Sequence, residues 1–192
     1  METSITVNSQ AARAELQRLA STVDGPAREE LMQVLGKGLE VDLQRHFLSR
    51  NSKANKRGWR KSGFWGDIAG KTSFASATQD DATVIISDPR INSHLHGGTI
   101  RPKNSKFLAI PMRQEAKGIK PSSGAIPDLF VLSRKRGKGA FLARREGNAL
   151  RLYYFLTRSV KVPKDPKTLP TAASLNKKAI ARARQFLARQ TN

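Results

Sequence analysis

The chain has 192 residues, enough for one domain of ordinary size, with 38% hydrophobic and only 6% aromatic residues. It has no cysteine, which excludes disulfides and thiolate metal sites, and its net charge is +20. No 18-residue apolar run is present, and Met1-Glu-Thr-Ser lacks the basic-then-apolar pattern of an export signal, so a soluble, unexported chain is expected.

Two helices are predicted at the start, over residues 1–49. Asn8 or Ser9 caps a first helix that places Ala12, Leu16, Leu19 and Val23 at three- and four-residue spacing. Asp24-Gly25-Pro26 breaks it. Pro26 then suits the first position of a second helix, and Glu29 and Glu30 complement its dipole. Leu31, Leu35, Leu39, Leu43 and Phe47 repeat every four residues, an apolar stripe fit for a sheet or a neighbouring subunit. Gly36 and Gly38 weaken that helix by roughly 1 kcal/mol each unless close packing requires them.

Residues 50–66 read as a basic loop. Lys56, Arg57, Arg60 and Lys61 are interleaved with Gly, Ser and Asn and with Trp59, Phe64 and Trp65. Cations with interspersed aromatics suit single-stranded nucleic acid, by charge and stacking; alternatively the two tryptophans pin the loop to the domain.

Residues 67–163 form a β-rich body. A hairpin is predicted over 71–78 and 83–87 around Gln79-Asp80-Asp81, then a helical turn over 90–96. Strands over 99–101 and 106–110 flank a Pro102-Lys-Asn-Ser turn, and Pro102 must end a strand or lie on an edge. Residues 112–128, with Gly118, Pro121, Ser122, Ser123, Gly124 and Pro127, make an irregular excursion. Strands over 129–132, 140–144 and 150–157 follow, joined by a basic turn and by Glu146-Gly147-Asn148. Pro163, Pro166 and Pro170 give an extended connector, and residues 164–192 end in a helix over about 171–189 with Leu175, Ala179, Ala183, Phe186 and Leu187 on one face. The whole reads as α+β: a mainly antiparallel sheet or small sandwich with two N-terminal helices and one C-terminal helix, in a single domain.

The charge is unevenly placed. Residues 1–50 hold 6 Lys/Arg against 7 Asp/Glu, whereas residues 51–192 hold 29 against 8. Such a body attracts polyanions and repels its own copies at low salt. The turn bearing Arg134, Lys135, Arg136 and Lys138, with Arg144 and Arg145 close behind in sequence, is the sharpest candidate for a DNA- or partner-facing surface. Contacts from it to DNA would be to the backbone and steeply salt-dependent. The plainer reading of such a cluster is a solvated loop.

Catalytic chemistry is not expected. Acidic residues past position 50 stand singly apart from Asp80-Asp81, no Gly-x-Ser-x-Gly nucleophile motif occurs, and Gly137-Lys-Gly139 lacks P-loop spacing. His94-x-His96 alone is weak evidence for a metal, which needs three or four converging ligands. No cofactor is predicted.

The most specific stretch runs His94-Leu-His96-Gly97-Gly98-Thr99-Ile100-Arg-Pro102-Lys103-Asn104-Ser-Lys106-Phe-Leu108-Ala-Ile110-Pro111. It resembles the tailed-phage virion-morphogenesis family, the tail-completion proteins of the neck, in which a His-x-x-Gly-Gly turn precedes a short strand, a Pro-Lys-Asn-x-Lys turn and a Leu-x-Ile-Pro strand. Gly58-Trp59, Asp128-Leu-Phe130, Tyr153–Phe155 and Val160-x-Val-Pro163 fall in plausible family order, so the likeness covers roughly residues 58–170. The resemblance implies a virion structural protein that completes the head-proximal end of the tail and joins it to the capsid connector. It implies a homo-oligomeric ring, commonly of six copies, around the DNA channel, assembled in the bacterial host cytoplasm. Connector or head-completion proteins and tail-tube or tail-terminator proteins would be its partners, with channel DNA touched through phosphates. The alternative is a non-sequence-specific nucleic-acid-binding protein acting in packaging or regulation.

Overall fold

The computed structural model of the chain describes residues 3–4, 14–15, 17–19, 21–52, 58–59, 62–133 and 139–190. Their fold is α+β, and every described strand pairing is antiparallel. The chain divides into two compact units. A helix-rich unit comprises Met1–Lys56, Lys61–His96 and Asp165–Asn192, and a sheet-rich unit comprises Arg57–Arg60 and Gly97–Lys164.

In the helix-rich unit, residues 14–15 and 17–19 are helical and Gly25 turns the chain with φ 57°. Helix α1 (Pro26–Ser52) follows, with Glu29 in its first turn and Arg50 in its last, as the dipole favours. Its four-residue apolar repeat serves two cores. Leu31 packs with Leu19, Ala183 and Phe186, while Leu43 and Phe47 pack with Ile68, Val84, Ile86 and Ile91. Full burial of a side chain such as Phe47 contributes about 2–3 kcal/mol. The mid-helix glycines are explained by close approach. A methyl at Gly36 would strike the Phe74 ring, and one at Gly38 the Arg182 side chain.

A three-stranded sheet has the order β1 (Thr3–Ser4), β3 (Ala82–Ile86), β2 (Thr72–Ala77). The β2–β3 hairpin falls where the alternation placed it, and Thr78 Oγ1 accepts the Asp80 and Asp81 amides at 3.3 and 3.1 Å to close the turn. Strand β1 was not foreseen, since two residues carry no readable period.

Residues 50–66 correct the sequence reading: they are not one loop. Residues 50–52 complete α1, and Phe64 opens helix α2 (Phe64–Gly70). The cause is burial. Phe64, Trp65, Ile68 and Ala69 share one helical face and pack with Phe47, so local glycine content is outweighed. Helix α3 (Ile91–His96) is the expected turn, and α4 (Ala172–Gln190) is the expected last helix. Thr171 Oγ1 accepts the Ser174 amide at 3.3 Å as its N-cap.

The sheet-rich unit holds two sheets. One is a ribbon of β4 (Gly98–Ile100) and β9 (Val160–Val162). The other has the order β5 (Leu108–Pro111), β8 (Ala149–Thr157), β7 (Ala140–Glu146), β6 (Phe130–Ser133). Strand β9 lies at the end of the stretch read as the β-rich body, where no separate strand was predicted; its Val-Lys-Val alternation is only three residues long. The excursion over 112–128 makes two short 3-10 turns and lays Ala116 and Ile126 against Tyr153 and Tyr154, whose hydroxyl donates to the Ile119 carbonyl at 3.0 Å. No helix among the described residues is long and apolar enough to cross a membrane.

Candidate functional site

The family-like motif divides at the boundary between the units: His94 and His96 end the helix-rich unit, and Gly97 opens the sheet-rich one. On the first side, His94 packs beside Phe64 and Trp65, with ring centres 4.9 and 5.2 Å apart. Its carbonyl accepts the Asp165 amide at 2.8 Å. Burial lowers the His94 pKa from its ordinary value, against the opposing pull of Asp165. His96 is exposed at the end of α3.

Around His94 lies a set of contacts that the sequence did not announce. The Arg50 guanidinium sits 3.9 Å from the Trp65 ring centre, and its Nη2 donates to Asp165 Oδ2 at 2.5 Å. Arg50 Nη1 and His46 Nε2 both donate to the Lys167 carbonyl, the latter at 3.1 Å. The end of α1 thereby holds residues 165–167 in place. Burial would raise the Asp165 carboxyl, but hydrogen bonds from Arg50 and the Lys167 amide keep it below its ordinary value. Residues 50 and 165 are too far apart in sequence for spacing to reveal the pair.

Two further carboxylates are sunk in this unit. Asp88, 1% exposed, receives Arg90 and Lys71 and also the Arg90 amide. The Arg90 hydrogen bonds depress its pKa far below the usual range. Asp42, 3% exposed, receives Lys178 at 3.0 Å and Arg182 at 2.7 Å. Burial pushes Asp42 up, yet those hydrogen bonds prevail and its pKa is lowered. These groups tie elements together.

On the other side of the boundary, Gly97 has φ 73°, and a Cβ there would meet the Lys164 amide nitrogen at 2.9 Å and the Val162 carbonyl oxygen at 3.2 Å. Glycine is required at 97 for both reasons; Gly98 has open space and an ordinary φ. Pro102 stands just past β4, as a residue without an N–H should. Lys106 is exposed in the turn before β5, where Ile110 pairs with Phe155 and Pro111 with Tyr154.

Lys56, Arg57, Arg60, Lys61, Arg134, Lys135, Arg136 and Lys138 lie outside the described residues. Arg144 and Arg145 sit at the Glu146↔Ala149 end of β7, opposite the Ser133↔Ala140 end that adjoins residues 134–138 in sequence. Arg144 is engaged there: its Nη2 is 3.3 Å from Glu146, which also takes Arg151 Nε at 2.7 Å and the Tyr153 hydroxyl at 2.7 Å. The Tyr153 hydrogen bond, with the charges of Arg151, Arg144 and Arg113 behind it, lowers the Glu146 pKa. Arg145 is exposed.

Among the described residues no group of three or more His, Asp or Glu side chains could hold a metal ion. Comparison with family models, with curated proteins and with solved structures finds no match to this chain.

Proposed function

We propose that this chain is a structural subunit of a tailed-phage neck, completing the head-proximal end of the tail and joining it to the capsid connector as a ring around the DNA channel. The observation that carries the reading is the ordered motif from His94 to Pro111, whose residues form a helix end, an obligatory glycine turn, a short strand, a polar turn and a second strand. Each part is architectural. Support for self-assembly comes from β6, an outer strand of its sheet with no charged residue, on which Phe130 and Val131 are 39% and 60% exposed. Exposed apolar strand edges of this kind favour pairing with another chain. A heterologous contact of this edge with a different surface of the next copy closes into a ring when the rotation permits.

A second reading, a nucleic-acid-binding protein of packaging or regulation, is favoured by one observation: the sheet-rich unit holds 18 Lys/Arg against 3 Asp/Glu.

Mass photometry and negative-stain imaging at moderate salt test the neck reading. Rings are expected, alone or with connector and tail proteins, and Val131→Lys on the β6 edge should shift them to monomers while the fold persists. Deleting the gene should leave DNA-filled heads beside unjoined tails. A strict monomer in the presence of those partners, or normal virions after deletion, overturns the assignment.

A further inference from the structure

The β4–β9 ribbon and its flanks carry a charge pattern that the loops singled out from sequence do not include. Six cations lie on it: Arg101 and Lys103 past β4, Lys106 in the next turn, Arg158 before β9, Lys161 within it and Lys164 after it. All six are exposed, and none is paired with a carboxylate among the described residues. Neither flank contains an acidic residue, since residues 97–114 and 147–164 hold no Asp or Glu.

Register arranges these charges. Thr99 stands opposite Lys161 on one face of the ribbon, and Ile100, Val160 and Val162 take the other. Because Ile100 pairs with Val160, Arg101, Lys103 and Arg158 gather at one end of the ribbon, and Lys164 lies past the other. Arg158 sits at the bend before the strand, and Val160–Val162 runs extended at about 3.3 Å per residue, close to the axial spacing of phosphates along one strand of a duplex. The Gly97 turn, packed against the Lys164 backbone, fixes one end, and Thr157 Oγ1, donating to the Ser159 carbonyl at 3.0 Å, braces the other.

We propose that this ribbon is a binding surface for the phosphate backbone of double-stranded nucleic acid, read without regard to sequence. Arg, Lys, Thr, Ser and Asn present donors to phosphate oxygens, and a two-stranded ribbon is narrow enough to lie along a duplex groove. The chemistry favours nucleic acid over an acidic protein. Protein–protein interfaces place an apolar core inside a polar rim, whereas nucleic-acid interfaces are more polar and far more positive. The polar face here is of the second kind. The inference deepens the neck reading by naming what would meet channel DNA, yet it stands on the ribbon's own charges and does not need the neck.

The test uses the full chain and a 30-base-pair duplex of random sequence, followed by fluorescence anisotropy across a salt series. A ribbon variant combines Arg101→Gln, Lys103→Gln, Arg158→Gln and Lys161→Gln. Its control, Lys37→Gln, Arg45→Gln, Lys177→Gln and Arg189→Gln, removes the same charge from exposed positions of the helix-rich unit. Loss of four phosphate contacts should flatten the slope of log K against log salt by about 3 to 4 in the ribbon variant. Affinity at low salt should fall at least about 100-fold, with the control within a few-fold of the parent. Equal losses in both variants would reduce the effect to bulk charge and overturn the proposal. So would a ribbon variant that keeps duplex binding but loses binding to a polyglutamate peptide, which would mark an acidic-protein surface. Unchanged circular-dichroism melts establish that both variants fold. Duplex binding through the ribbon by a chain that never enters virions would remove the neck reading and leave this one. Normal neck assembly by a chain with no ribbon-dependent duplex binding would do the reverse.

Discussion

The two units handle charge in opposite ways. The helix-rich unit has 17 Lys/Arg and 12 Asp/Glu, and each carboxylate buried among its described residues takes two cations: Asp42 takes Lys178 and Arg182 of α4, and Asp88 takes Lys71 and the nearby Arg90. There, opposite charges act as internal staples. The sheet-rich unit has 18 against 3, and Glu146 alone among its acids gathers arginines. Among its described cations, Arg101, Lys103, Lys106, Arg145, Arg158, Lys161 and Lys164 are exposed, and like charges at such density repel one another. The net charge thus combines one unit in which opposite charges nearly balance with another in which cations far outnumber acids.

The largest break in that comparison should come from the apolar centre that the staples surround. Phe47 is wholly buried and stacks on Trp65 with ring centres 6.0 Å apart. Phe47→Ala should destabilise the helix-rich unit by about 3–5 kcal/mol, read as a lower denaturant midpoint. Trp65 emission should shift to the red at the same midpoint. A loss below about 1 kcal/mol would mean that this core does not hold the unit together.

A smaller loss is expected from one staple. Asp88→Ala removes the acceptor for Arg90, Lys71 and the Arg90 amide that opens α3. Breaking a wholly buried pair costs about 3–5 kcal/mol, but both cations here are about half exposed and rehydrate, so about 2 kcal/mol is expected. The contribution depends on the ionised carboxylate. It is present above the ordinary aspartate pKa of 3.8 and vanishes as pH falls through the depressed folded value. Thermal melts of parent and variant should therefore converge at strongly acid pH, and a gap of constant size would contradict the ion-pair account.

How much of this was open to the sequence differs by scale. The four-residue stripe of α1, the β2–β3 hairpin and the strands β5 to β8 were legible because each repeats a period over enough residues to register. Helix α2 was hidden behind glycine, serine and charge, since its cause is burial of Trp65 and Ile68 against residues far away in sequence. Strands β1 and β9 are too short for a period. At the candidate site, the need for Gly97 was readable in the Gly-Gly step, although only one of the two glycines is obligatory. The cationic ribbon was not, because Lys161 joins Thr99 only through the pairing of strands some sixty positions apart. Arg144 looked free in sequence and is bound to Glu146 two positions along the same strand, which also takes Arg151 across the turn, pairings that a charge count cannot see.

The gentlest probe is the imidazole at the boundary of the helix-rich unit. His94 is kept neutral by burial between Phe64 and Trp65, so its folded pKa lies below the ordinary 6.5. As pH falls through 6.5 the unfolded chain takes up a proton that the folded chain refuses, and stability declines until the folded pKa is passed. Arg50 reinforces the refusal, and Asp165 opposes it. His94→Phe keeps an aromatic ring in the cluster and leaves the backbone carbonyl free to accept the Asp165 amide. The variant should lose the drop in melting temperature between pH 6.5 and 5 while matching the parent above pH 7.5. Because Asp42, Asp88 and Asp165 all have lowered pKa values, the common acid loss at lower pH should remain in both proteins. A variant whose melting temperature tracks the parent across the whole range would place the proton uptake elsewhere and leave the Arg50–Asp165 tie, rather than the imidazole, as the acid-sensitive point of this unit.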